Sequence, residues 1–188
     1  MDNTKIINIS ETPIRAPNPL KSNLDNKRAI TQSRGWTFTN TDYHNENQMN
    51  YLRTLTNENE QTPQKKFILQ QIYNKLSGYR SQDKIKKIYN ESAFIQIDTV
   101  IRLLIESGLH CFYCKSDIRV LYEIVRETDQ WTLDRIDNSM GHNTDNVFVA
   151  CLLCNLRRKT MYHERYVFTK SCTNVVKLDE TQSKEDCA

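Results

Sequence analysis

The sequence predicts an α+β fold: a small ββα unit pinned by cysteines, behind a helical segment and a long polar arm. Three observations carry that reading. Two CxxC pairs, Cys111–Cys114 and Cys151–Cys154, stand on either side of two short strand-like runs. Helical spacing of apolar residues begins only near Lys66. Everything before that point is polar and broken by prolines.

Residues 1–64 are rich in Asn, Thr, Gln and Lys, with prolines at 13, 17, 19 and 63. Their apolar residues are too sparse to repay the entropy of ordering. The expectation is a mostly disordered arm with one short helix near Met49, Tyr51, Leu52 and Leu55. Such an arm serves as a tether or as the docking segment for a protein partner.

Residues 65–108 read as a helical support segment. Phe67, Ile68, Gln71, Ile72, Lys75 and Leu76 share helical spacing, and Ser77-Gly78 reads as the stop. Ser81-Gln82-Asp83 looks like a new helix start leading into Ile85, Ile88 and Tyr89. A third helix opens at Ile97-Asp98, carries Val100, Ile101, Leu104 and Ile105 on one face, and stops at Gly108. Lys84, Lys86 and Lys87 suit phosphate contact or an ordinary solvated face.

Residues 109–178 read as the cysteine-bearing domain, and 179–188 as a flexible tail. Arg119–Val125 reads as extended. Trp131–Leu133 forms a strand into Asp134, and Asn138–Asp145 is a dense turn signal. Asn146–Ala150 is the second strand, followed by a helix from Leu152 or Leu153 to about Tyr166 and a closing strand over Val167–Lys170.

Charge and cysteine usage narrow the partners. The 188 residues carry a net charge of +3, which permits a nucleic-acid partner without demanding one. No apolar run approaches the roughly 18 residues of a membrane span, and the first residues lack a signal-peptide core. The reading is a soluble intracellular protein of cytoplasm or nucleus with no membrane partner. In a reducing compartment CxxC pairs favour a metal over disulfides, although two disulfides or free thiols remain alternatives. Cys111, Cys114, Cys151 and Cys154 make a closed tetrahedral Zn²⁺ site with no position for a reacting water, hence a structural one. Cys172 and Cys187 have no partner at ligand spacing.

Four stretches then carry a resemblance. They are Trp131-Thr-Leu-Asp134-Arg135-Ile-Asp137-Asn138, Gly141-His142, Asp145-Asn146 and Cys151-Leu-Leu-Cys154-Asn155-Leu-Arg157-Arg158. Together, over about residues 109–160, they resemble the HNH endonucleases, the ββα-metal or His-Me finger family. The likeness is to two branches: zinc-clasped phage recombination endonucleases that cut branched DNA, and proteins of phages and large DNA viruses with an LDRID…N…CxxCN pattern. The resemblance implies a zinc-bound, treble-clef-like ββα domain that hydrolyses DNA phosphodiesters with low sequence preference. It implies Asp134 and Asn155 as ligands of a catalytic Mg²⁺ or Mn²⁺, both hard oxygen donors; either residue could instead merely cap backbone. It implies Asn146 as a brace of the loop.

Arg135 departs from the pattern, because the family places a general-base His there. A guanidinium has no lone pair for a proton, so Arg135 is left to clamp a phosphate or steady the transition state. His142 is the substitute base, with Asp137 second. Arg157, Arg158 and Lys159, followed by His163 and Arg165, form the expected nucleic-acid contact at the start of a helix. Two rival readings stand beside the endonuclease. One is a zinc-dependent nucleic-acid-binding module that lost catalysis through Arg135. The other is a scaffold protein that uses the zinc domain for assembly.

Overall fold

A computed structural model describes residues 28–30, 38–55 and 62–171. Among them the fold is α+β, with five α-helices and one two-stranded sheet. A 3-10 turn at Asn40–Tyr43 leads into α1 (Asn45–Arg53), α2 (Pro63–Ile85) and α3 (Ile97–Glu106). The sheet is β1 (Trp131–Arg135) and β2 (Val147–Cys151), followed by α4 (Leu152–Arg158) and α5 (His163–Ser171). No described helix is long and apolar enough to cross a membrane.

The strands are antiparallel, with Trp131 opposite Cys151 and Asp134 opposite Phe148. That register sets the end of β2 against the start of β1. It also brings the second CxxC pair back beside the first, because the Phe112 amide donates to the Val149 carbonyl. The first knuckle is tightened by Lys115, at φ 59°, whose amide reaches the Cys111 carbonyl.

The helices pack onto this unit through one continuous core. It runs from Met49 and Leu52 through Ile68, Ile72, Val100 and Leu104 to Trp131, Leu133, Val149 and Tyr166. Each such side chain contributes about 1.5–3 kcal/mol on burial. The short helix expected near Met49–Leu55 is α1, and the folded stretch reaches back to Asn40 in an arm otherwise expected to be disordered: Met49, Leu52 and Leu55 are buried, and the Gln48 side chain accepts from the amides of Val120 and Leu121. The rest of that arm, residues 1–27, 31–37 and 56–61, lies outside the described residues, as does the expected tail at 179–188.

Four other expectations are corrected. Residues 63–85 form a single helix that continues through Gly78, where Ser77-Gly78 was expected to end one helix and Ser81 to begin another. Thr62 caps it, accepting from the Lys65 amide, and Pro63 suits its first turn. The helix stops at Lys87, whose φ of 59° turns the chain while the Ile88 amide reaches back to Asp83 and the Lys87 amide to Lys84. Arg119–Val125 is irregular chain with single bridges rather than an extended segment, Arg119 pairing with Gln130 and Ile124 with Ala29. The helix that begins at Leu152 does not reach Tyr166, because Lys159 adopts φ 54° and breaks it into α4 and α5. Val167–Lys170 is the middle of α5, not a strand. Gly108, at φ 60°, ends α3 as its position predicts.

Candidate functional site: a four-cysteine metal centre beside a basic cavity

The sulfurs of Cys111, Cys114, Cys151 and Cys154 lie within 4.8 Å of one another. None is in a disulfide. The Cys114 and Cys151 sulfurs are 3.9 Å apart, close to the roughly 3.8 Å that bonds of about 2.3 Å impose on a tetrahedral zinc. Cys151 also caps α4, its sulfur accepting from the Cys154 amide at 3.3 Å. Crowding makes the free thiols reluctant to ionise together. Burial, and then the charge of Cys111, pushes Cys154 up to about 11. The neighbouring Cys111 sulfur, with burial adding to it, pushes Cys151 up as well. A cation among them removes that conflict. Among the described residues the buried Tyr166 hydroxyl makes no hydrogen bond of full geometry; burial, and then the neighbouring Cys154 sulfur, raises its pKa. A metal-bound thiolate is an acceptor that suits this hydroxyl.

Asp134 lies on β1 at 5% exposure, its carboxylate turned to the α4 side. Arg158 grips it through two bonds, Nε to Oδ2 at 2.6 Å and Nη2 to Oδ1 at 2.9 Å. The Tyr113 hydroxyl donates to Oδ2 at 2.7 Å. Arg158 is itself buried and spends its remaining donors on the carbonyls of Met161 and Arg135. The expected cation ligand is thus fully supplied with protein donors, and a like charge sits where an ion would approach. As they stand, these residues do not fit a divalent cation at Asp134. Asn155, its expected partner, donates through Nδ2 to the Thr132 hydroxyl at 3.1 Å and the Leu133 carbonyl at 3.3 Å.

His142 is placed differently. Its backbone amide donates to Asp83 Oδ2 at 2.7 Å, and its ring Nδ1 meets Asp83 Oδ1 at 2.9 Å. A carboxylate only accepts, so Nδ1 carries the hydrogen and Nε2 keeps its lone pair. Nε2 has no protein partner among the described residues. Tyr79 stacks on the ring with centroids 4.3 Å apart. Burial lowers the His142 pKa; Asp83 opposes this, and the charges of Arg135 and Lys86 reinforce it. The imidazole is therefore neutral at pH 7. Asp83, fully buried near the end of α2, gave no functional signal in the sequence: its short polar context reads as a helix start.

Asn146 crosses the loop between the strands. Its Oδ1 accepts from the Asp137 amide, and its Nδ2 donates to the carbonyls of Asp137 and Gly141. Asp137 itself is exposed and bonds the Ser139 amide.

A cavity of about 870 Å³ opens between α2, β1 and α4 and is lined by His142, Arg135, Thr132 and Asn155. Arg28, Lys75, Lys86, Arg126, Arg135 and Lys159 all border it, and none forms an ion pair among the described residues. Among the described residues Asp134 is the lone carboxylate on its wall, and it is already neutralised by Arg158. Lys75 donates to Gln130 Oε1 at 2.8 Å and to the Trp131 carbonyl, and burial lowers it to about 7. Of the expected basic run, Lys159 lines the cavity and Arg157 is exposed, while Arg158 points inward. Comparison with protein-family models, with curated proteins and with solved structures finds no match.

Proposed function

We propose that the chain is a zinc-clasped nuclease of the HNH type, with a treble-clef-like ββα domain, that hydrolyses phosphodiester bonds of DNA. The observation that carries this reading is the Asp83–His142 pair at the edge of an unneutralised basic cavity. Zinc at the four cysteines holds the two strands and α4 in register, and its closed thiolate shell keeps it out of the reaction. A phosphodiester enters the cavity and is held by its cations, among them Arg135, whose Nη1 also donates to the carbonyls of Asn138 and Met140. Nε2 of His142 takes a proton from water as the water oxygen bonds to phosphorus. The bond from phosphorus to the leaving oxygen breaks, and that oxygen takes a proton from solvent. Asp83 holds the ring in the required tautomer and meets the imidazolium charge. Mg²⁺ or Mn²⁺ at Asp134 and Asn155 would require Arg158 to let go first.

That requirement favours a second reading, a nucleic-acid-binding module without catalysis. One experiment separates them. Zinc-loaded protein is incubated with supercoiled plasmid and with a branched duplex, in buffer with and without Mg²⁺ or Mn²⁺. Nicking by wild type that His142→Gln abolishes supports the nuclease. Salt-sensitive binding with no nicking under any condition leaves the binding module.

A further inference from the structure

We infer that the cavity takes a single-stranded stretch of nucleic acid, not an intact duplex; this rests on the proposed phosphodiester site and names what enters it. The reactive position is recessed. The His142 side chain is 6% exposed, and its ring is held down by Asp83 on one side and Tyr79 on another. The loop that carries it cannot rise easily. Asn146 ties the Gly141 carbonyl down, and the space beside the Gly141 Cα is filled by Asp83 and the Ile88 carbonyl. A phosphate must therefore come into the cavity to meet Nε2. Paired strands present their phosphates on a rigid rod whose neighbours would strike the rim first. An unpaired strand can bend inward.

The wall suits that guest. A volume of about 870 Å³ is in the range of small-molecule sites, room for a nucleotide or two. The cations lie around it on different elements: Lys86 past the end of α2, Arg126 in the loop before β1, and Lys159 at the end of α4. They border the recess from three separate elements instead of forming one flat face. Between them Val125, Leu152 and Leu156 offer apolar surface, with Leu156 49% exposed. Bases freed from a duplex have apolar faces to set against such surface; bases inside a duplex do not. A cationic groove is one half of the pattern of sequence-tolerant single-strand binding; here aliphatic side chains stand where such proteins place aromatic ones.

The test is fluorescence anisotropy of the zinc-loaded full chain, in buffer free of Mg²⁺, with a labelled DNA single strand and the blunt duplex of the same sequence. The expected result is at least tenfold tighter binding of the single strand. Lys86→Ala and Arg126→Ala should each weaken it and reduce the slope of log K against log salt by about 0.7. Arg102→Ala, an exposed residue paired with Glu106 away from the cavity, should leave it unchanged. Both cavity variants alter exposed side chains, and an unchanged melting temperature confirms that they fold. Equal or tighter binding of the duplex overturns the inference, as does failure to bind either. Single-strand preference without cleavage keeps this inference and sinks the nuclease. Cleavage of duplex with no preference for single strands does the reverse.

Discussion

Asp83 and His142, far apart in sequence, are joined by both the backbone and the ring of the histidine: one carboxylate accepts from the His142 amide at 2.7 Å and meets Nδ1 at 2.9 Å. The two contacts have different consequences. The amide bond fixes the loop, and the ring bond fixes which nitrogen is basic.

The pH profile should report that arrangement. Burial lowers the His142 pKa from its ordinary 6.5. For the proposed cleavage, the acid limb of kcat/KM should therefore have its midpoint below 6.5, and loss of the Lys75 charge near 7 should add a basic limb. Asp83 raises that pKa, so Asp83→Asn should move the midpoint lower still. Asn must keep its oxygen on the His142 amide, which turns its NH₂ toward Nδ1 and favours the wrong tautomer. The rate should fall by about 10²-fold or more, the usual worth of a positioned base, with KM little changed. A purely structural Asp83 would change stability and leave the midpoint where it was. Linkage gives a second readout. The unfolded chain binds this proton more readily than the folded one, so the contribution of His142 to stability is intact above 6.5. It is lost as pH falls through the lower folded value.

The Asp134–Arg158 pair makes a sharp prediction about stability. Both side chains are buried, so removing one leaves the other charged and unpaired. Asp134→Ala should cost about 3–5 kcal/mol, and replacing both with apolar residues, Asp134→Leu with Arg158→Met, should cost much less than the sum. Urea melts of the two single variants and the double variant measure this. Loss of activity in Asp134→Ala would thus not by itself identify a cation ligand. Mn²⁺ binding followed by electron paramagnetic resonance addresses the ion directly. Zinc-loaded wild type should show no tight Mn²⁺ site, because the guanidinium holds the carboxylate.

What could be read from the chain depended on how local the signal was. The CxxC pairs, the strand runs at Trp131 and Val147, and the Gly108 stop are short patterns, and each lies where its pattern places it. Gly78 misled because its side is open: nothing lies within 4 Å of where a Cβ would be, and the helix runs on. The basic run Arg157, Arg158 and Lys159 misled for a different reason. One charge in it turns inward to answer a buried carboxylate, and composition does not show direction. The pairing of Asp83 with His142 is a tertiary fact with no local pattern. The core role of residues 40–53 depends likewise on partners such as Val120 and Leu121, distant in the chain.

The metal should carry the fold of the ββα unit. Purified protein should hold one tightly bound zinc per chain, measured by elemental analysis. Its removal by a strong chelator should abolish the cooperative thermal transition of this region, because structural zinc contributes about 10–16 kcal/mol of apparent binding energy at pH 7 in small domains. Binding must displace thiol protons, including that of Cys154, which burial and Cys111 hold up at about 11. Apparent affinity should therefore fall steadily as pH is lowered, with proton release visible in weakly buffered titrations.

Two glycines should respond in opposite ways to the same substitution. Gly78 lies in the interior of α2, exposed and with free space around it. Gly78→Ala should stabilise by about 0.4–1 kcal/mol, since alanine loses less backbone entropy in a helix. At Gly141 a Cβ would sit 2.8 Å from Asp83 Oδ2 and 2.8 Å from the Ile88 carbonyl oxygen. The second atom is backbone and cannot swing aside. Gly141→Ala must push the loop off α2, lengthening the bond from Asp83 to the His142 amide and releasing the ring. Thermal melts should show a loss of stability, and the His142 proton resonances should shift toward those of a solvent-exposed imidazole. Any cleavage activity should fall along with that shift. A Gly141→Ala protein with wild-type stability and an unchanged histidine spectrum would mean that Asp83 does not hold the loop as tightly as the geometry requires.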